Sequence, residues 1–210
     1  MKIAIIQASS QKDKNELLFE SVKKSVKSKG YEVVNFGIFQ NEVIEYSYVE
    51  IAMLISILLE SQALDFVVTG CSSGQGMMLA CNSLPGILCG YVENPSDAYL
   101  FGRINNGNAI SFPLGLNFGW AGELNLQSTL DSLFSEDFGT GYPMQDAVRK
   151  QKDTKLLKSI NAITKRELVD VITRIDLDFM RKVVSRDNVY NYVLKYSHNE
   201  ELKEILQSYR

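Results

Sequence analysis

Cys71-Ser72-Ser73-Gly74-Gln75-Gly76 stands between a short apolar run, Phe66-Val67-Val68, and a run of helix formers, Met77–Cys81. A strand that turns through such small residues into a helix leaves several backbone N–H groups aimed at one spot, at the positive end of the helix dipole. Anionic oxygen is held well there. A thiol, Cys71, stands at the mouth of this loop, with amides and hydroxyls near it in sequence. Such an inventory suits removal of a C–H proton beside a carbonyl, with the amide nest holding the enediolate that forms. Plainer readings exist for the same residues. A cysteine in a glycine-rich turn is commonly a small packing residue, and a Gly-x-Gly spacing can simply tighten a strand-to-helix turn. Cys81 and Cys89 read as core thiols, and Met77-Met78 as helix packing.

The elements that must position this loop follow from pattern. Ile3-Ala4-Ile5-Ile6 lies in a strand Lys2–Gln7 that is apolar on both faces, as in a covered parallel sheet. The polar loop Ala8–Gln11 leads to a helix Lys12–Lys29, with Leu17, Leu18, Val22 and Val26 on one face and Gly30 as its C-cap. Further strands are expected at Tyr31–Phe36, Ile87–Val92 and Asn108–Phe112, and helices at Tyr46–Gln62, Pro95–Ile104 and Gly122–Phe134. Strands alternating with helices over residues 1–140 predict an α/β, three-layer, Rossmann-like doubly wound parallel sheet. After Gly139-Thr140-Gly141-Tyr142-Pro143 the character changes. Residues 141–210 read as a helical C-terminal extension, with segments such as Thr164–Thr173, Asp176–Val184 and Asn199–Tyr209, packed on the core or on a partner subunit. The carboxyl ends of the strands are where ligands bind in such sheets. The loops Gln7–Gln11, Gly70–Gly76 and Glu93–Asp97 should therefore meet, joined by Asn105-Asn106-Gly107-Asn108.

Composition narrows the classes. With 22 Lys and Arg against 25 Asp and Glu, the formal charge of −3 gives no reason to expect a nucleic-acid or anionic-membrane partner. The longest apolar segment, Ile51–Leu59, is too short to span a bilayer, and no signal peptide is read at the start. Three cysteines without a zinc spacing, and one histidine, His198, argue for a reducing, cytoplasmic setting and against a His-rich metal site. No metal and no cofactor is expected.

Taken together, MKIAIIQAS, KGYEVVNFG, DFVVTGCSSGQGMMLACNSLPGILCGYV and RINNGNAISFPLG closely resemble the ribose-5-phosphate isomerase B/galactose-6-phosphate isomerase family over about the first 140 residues. Cys71–Met77 parallels the family's Cys-Gly-Thr-Gly-x-Gly loop. The resemblance implies that Cys71 is the base that moves a proton between C1 and C2. It also implies that Ser73 stands where the family has a Thr that helps hold the enediolate. Asn82, Pro85-Gly86 and Asn105…Asn108 fall on family positions too. Family members assemble with the pocket at a subunit boundary, which implies a homodimer or a larger even oligomer.

The departures concern the substrate. Ala8-Ser9-Ser10 replaces the family's Asp-His, Ile104 replaces its ring-opening His, and no Arg follows the Gly139–Pro143 turn until Arg149. A phosphate dianion would lack its strongest partners, and Ile104 can relay no proton. These differences, with the extension, resemble a divergent branch that includes the isomerase of 4-deoxy-L-threo-5-hexosulose uronate, an acidic, unphosphorylated sugar. The implied catalytic residues are Cys71 and Ser73. The expected substrate contacts are Ser9, Ser10, Gln11, Tyr48, Ser72, Gly74, Gln75, Gly76 and Asn105. Two rivals stay open: an isomerase of ribose 5-phosphate or galactose 6-phosphate, and a non-catalytic sugar-binding module.

Overall fold

A computed structural model describes residues 1–210. Five parallel strands form one sheet: β1 (Lys2–Ile6), β2 (Glu32–Gly37), β3 (Phe66–Cys71), β4 (Cys89–Tyr91) and β5 (Ala109–Pro113). Their spatial order is β2-β1-β3-β5-β4. Side chains alternate across the sheet and feed two apolar clusters. Ile3, Ile5, Phe66, Val68, Ile110 and Phe112 face α1 (Asn15–Val26), α4 (Pro95–Leu100) and α5 (Gly122–Leu133). Ala4, Ile6, Val67 and Ala109 face α2 (Tyr48–Glu60) and α3 (Gln75–Ser83). The helix after β1 and the helix after β3 thus cover opposite faces, and a crevice opens between the carboxyl ends of these neighbouring strands. This is the switch point at which doubly wound sheets bind ligands.

Boundaries differ from the sequence pattern where local capping decides. The expected Lys12–Lys29 helix is three pieces: a tight turn Ser9–Lys14, the regular helix α1, and a turn Lys27–Lys29 that ends on Gly30 at φ +63°. The next helix begins at Tyr48 rather than Tyr46, because Ser47 and Glu50 form a reciprocal capping box. The fourth strand is shorter than expected, and Asn82 clamps the backbone of its first residue, Cys89, through N–H and C=O at 2.9 and 2.8 Å.

The last third is wholly helical: α6 (Ala147–Thr164), α7 (Leu168–Arg174), α8 (Leu177–Val184), α9 (Asp187–Tyr196) and α10 (Glu200–Gln207). The expected Thr164–Thr173 helix breaks at Lys165–Glu167 into the end of α6 and all of α7. Leu168, Ile172, Met180, Val183, Val189, Val193, Leu202 and Leu206 join the same apolar cluster as α2. That explains α2 itself: a helix apolar all round must be covered on every side. Ile51 to Leu59 are all buried, with the sheet beneath and α7 to α9 above. No helix is long and apolar enough to cross a membrane.

Candidate active site

Cys71 is the last residue of β3, paired in register with Pro113 at the carboxyl end of β5. It is 8% exposed and lines a cleft of about 830 Å³. The loop after it is fixed by backbone geometry. Gly74 sits at φ +73°, and a Cβ there would meet the Tyr91 ring at 2.8 Å and the Phe112 carbonyl carbon at 2.9 Å. Its own C=O accepts from Ser111 Oγ at 2.7 Å. No side chain caps the start of α3, so the first-turn amides stay available to a ligand.

A second loop is laced to this one. Ala8 N–H donates to the Gly70 carbonyl at 3.0 Å. Gln11 Nε2 donates to Ser72 Oγ at 2.9 Å, and Ser72 and Ser10 hydroxyls lie 3.3 Å apart. Ser9 serves the backbone instead. Its N–H donates to the Tyr46 carbonyl, and its Oγ accepts the Tyr46 N–H at 2.7 Å. These bonds bring the segment before α2 to the cleft, so Tyr46, Ser47 and Tyr48 form a wall opposite Cys71. The Tyr48 ring faces Gly76, whose added Cβ would sit 3.5 Å from it. Ser9, Ser10, Tyr48, Cys71, Ser72, Ser73 and Gly76 therefore line one cleft, with Gln11 and Gly74 bracing it from behind.

Other expected members lie elsewhere. Gln75 is exposed at the start of α3 and lies beside the Tyr91 hydroxyl, within its hydrogen-bonding sphere. The loop Glu93–Asp97 does not join the Cys71 cleft, because β4 is the edge strand and β5 stands between it and β3. Glu93 instead holds Asn117 at 3.1 Å beside a separate small cavity. Asn105 ends the π-type turn that continues α4, and Asn106-Gly107-Asn108 lead from it into β5. Asn105 lies at the amino end of the sheet, about five strand residues, roughly 16 Å, from the end that carries Cys71. One chain does not bring the two together. Asn108 serves the backbone there, accepting from Leu88 N–H and donating to the Gly86 carbonyl.

Sequence reasoning missed Glu45, Tyr46, Ser47, Glu50 and Lys182, all of which line the cleft. The Ser47-Tyr48-Val49-Glu50 capping-box pattern was a usable signal for the first four. Nothing local marks Lys182, which arrives from α8 more than a hundred residues on. Its Nζ lies 2.8 Å from Glu50 Oε1 and 5.6 Å from the Tyr46 ring centre. Nearby, Arg186 grips Glu42 with two guanidinium contacts of 2.6 and 3.0 Å and also donates to the Phe36 carbonyl. Burial raises the proton affinity of Glu42, but the Arg186 contact and the Phe39 N–H outweigh it and hold the carboxyl below its ordinary value. No group of three His, Cys, Asp or Glu side chains is placed to hold a metal ion.

Comparison with known proteins gives the family of the chain. The sequence model described as Ribose/Galactose Isomerase matches residues 3–145. No curated protein sequence matches significantly. Among solved structures, a 4-deoxy-L-threo-5-hexosulose-uronate ketol-isomerase complexed with a tartrate is similar at 41% identity and TM-score 0.95, covering 100% of this chain and 99% of its own. A ribose-5-phosphate isomerase from Vibrio parahaemolyticus follows at 35% identity and TM-score 0.94, with 100% and 99% coverage. The type B ribose 5-phosphate isomerase of Trypanosoma cruzi, at 17% identity and TM-score 0.64, shares the fold over 77% of this chain. The chain belongs to the ribose/galactose isomerase family and is a sugar isomerase.

Proposed function

We propose that the protein interconverts an aldose and a ketose of an acidic, unphosphorylated sugar, with 4-deoxy-L-threo-5-hexosulose uronate as the substrate. The Cys71 thiolate takes the C2 proton, and the electron pair moves into the C1–C2 bond as the C1 carbonyl becomes the enediolate oxygen. Ser73 and the amides of residues 72–76 stabilise that oxygen. The proton then returns from Cys71 to C1 while the O2 proton passes to O1, leaving a C2 ketone. Ser9, Ser10, Gln11, Tyr48, Ser72, Gly74, Gln75 and Gly76 hold or shape the substrate from this chain, and Asn105 reaches the cleft from a second copy. No cofactor takes part in this scheme.

The observation that carries the substrate choice is the lining that this chain gives the cleft, which holds Cys71 and the hydroxyls of Ser9, Ser10, Ser72 and Ser73 but no arginine and no histidine. A phosphate dianion is best held by bidentate guanidinium, and a furanose ring is opened by an acid–base group. An acyclic uronate needs neither. The similarity to the uronate isomerase over the full chain, extension included, supports the same reading. The second reading, ribose-5-phosphate isomerisation, is favoured by the Vibrio parahaemolyticus relative's activity. Purified enzyme assayed on both substrates decides. Turnover of the deoxy-keto-uronate with little on ribose 5-phosphate is expected, and the reverse would overturn the assignment.

We further infer a homodimer or a larger even oligomer in the cytoplasm, with no nucleic-acid or membrane partner. The exposed face of α6 carries Val148, Leu156, Leu157, Ile160 and Ile163, an apolar stripe that a second copy would cover. Three free cysteines accord with a reducing compartment. Residues 1–140 form the isomerase domain proper in this reading, and 141–210 are an extension that completes it.

A further inference from the structure

This chain supplies one cation to the lining of the cleft, Lys182, and it does not come from the isomerase core. Met180, Val183 and Val184 are buried in the apolar cluster, so α8 is fixed in place and presents Lys182 on its outer side. Glu50 is held from two directions: its Oε2 accepts the Ser47 N–H at 2.6 Å, and its Oε1 meets Lys182 Nζ at 2.8 Å. An ammonium has three donors. Glu50 takes one, the face of Tyr46 lies alongside at 5.6 Å, and Lys182 lines the same cleft as Cys71, which leaves donors for a ligand bound there. The lining acids are Glu45 and Glu50. Without Lys182, an anionic substrate would meet two carboxylates and only helix N-termini in compensation.

We infer that Lys182 binds the substrate's carboxylate, and so sets the preference for an acid sugar over a neutral or phosphorylated one. This rests on the uronate reading above. A single ammonium matches a single carboxylate, where a phosphate dianion asks for more. Glu50 and Tyr46 act as positioning residues that hold Nζ at a fixed height over the cleft. The helical extension is then part of the specificity machinery rather than packing alone.

Steady-state kinetics of Lys182→Met, Lys182→Arg and a Glu50→Gln/Lys182→Met double variant test this, on the deoxy-keto-uronate and on its uncharged methyl ester. Lys182→Met should raise KM for the acid about 10- to 100-fold, the range of a lost charge-assisted hydrogen bond, while kcat changes less than about 3-fold and KM for the ester stays put. Lys182→Arg should recover most of the affinity. An unchanged KM for the acid would overturn the inference, as would an equal rise for acid and ester. Wild-type affinity in the double variant would also overturn it, since Lys182 would then only neutralise Glu50. A wild-type enzyme that turns over no uronate would defeat the functional reading itself and this inference with it. Normal wild-type turnover with indifferent variants would defeat the inference alone.

Discussion

Gln11 Nε2 donates to Ser72 Oγ at 2.9 Å, and through this bond the loop leaving β1 holds the loop leaving β3. The Ser72 carbonyl in turn accepts from Gly115 and Leu116 N–H at 3.0 and 2.7 Å, so three loops meet on one serine. Gln11 is buried and also reaches the Ser10 carbonyl at 2.6 Å. Gln11→Ala removes both donations without touching the strand core. We expect kcat/KM to fall about tenfold, with a loss of about 1–2 kcal/mol in urea unfolding, the size of one or two lost hydrogen bonds. An activity within twofold of wild type would mean that the bond does not set the geometry of the Ser72–Gly76 loop.

The three thiols should separate cleanly. Cys71→Ala should lower kcat about 10²- to 10⁴-fold, as for loss of a general base, with native circular dichroism. Cys81 and Cys89 are buried, and Cys89 is pushed well above the ordinary thiol range by its hydrogen bond with Cys81 and by burial. Cys89 therefore stays protonated, and neither thiol lines the Cys71 cleft. Cys81→Ala should keep kcat within about threefold while costing about 1–2 kcal/mol in denaturant unfolding, mostly as a small cavity. Full activity in Cys71→Ala would end the proton-transfer assignment.

Much of this architecture could be read from the chain because the dominant signals are local. Ile3–Ile6 and Phe66–Val68 are short runs that only a covered parallel strand accommodates, and the loop from Cys71 to Gly76 declares its own turn. What stayed hidden depends on contacts distant in sequence. The loop Glu93–Asp97 misses the cleft because β5 inserts between β3 and β4, an order that no local pattern records. Lys182 lies on an amphipathic surface helix like many others, and only the packing of α8 on α2 brings it to Glu50. The all-round apolar character of α2 did announce that something must cover it; which helices do so was not legible.

Gly74 tests the loop's backbone. At φ +73° an alanine is strained by about 1–2 kcal/mol, and its Cβ would press on the Tyr91 ring and the Phe112–Pro113 backbone at under 3 Å. The backbone half of that contact cannot rotate away. Gly74→Ala should therefore lose about 2–4 kcal/mol in urea unfolding, with overpacking added to strain, and most of its activity. A fully active, stable variant would show that the loop tolerates another conformation.

The pair Arg186–Glu42 gives a pH dependence with a definite sign. Burial of Glu42 is outweighed by the Arg186 and Phe39 hydrogen bonds, so its folded carboxyl titrates below the ordinary 4.5. The stabilisation is complete above that ordinary value and is lost as pH falls through the lower, folded one. Glu42→Gln should flatten this acid limb of the stability curve. Arg186 is 6% exposed, and its Nη2 also serves the Phe36 carbonyl. Arg186→Ala should cost about 3 kcal/mol or more, as for a broken buried pair, and should raise KM because the segment leading to Tyr46 loses its anchor. Glu60 has the opposite sign: burial and Glu167 raise its carboxyl, so Glu60→Gln should stabilise the protein near neutral pH. A less stable Glu60→Gln, compared by thermal melts at pH 5 and pH 8, would contradict that account.

Cys71 and Asn105 lie at opposite ends of the same sheet, so the proposed pairing of the two requires a second chain, and this can be tested by complementation. Cys71→Ala and Asn105→Ala should each be nearly inactive as homodimers. Denatured together and refolded as an equal mixture, half of the dimers should be mixed, and each mixed dimer has one cleft with both residues intact. About a quarter of wild-type activity should return, by random pairing in a twofold assembly. Ile160→Glu with Ile163→Glu, both on the exposed stripe of α6, should reduce the mass seen by light scattering to that of one chain and abolish this rescue, without lowering the unfolding midpoint of the monomer. If Asn105→Ala is fully active, Asn105 has no part in turnover. If both variants are inactive and mixing restores nothing, Asn105 acts on the fold of its own chain and not on a neighbouring cleft.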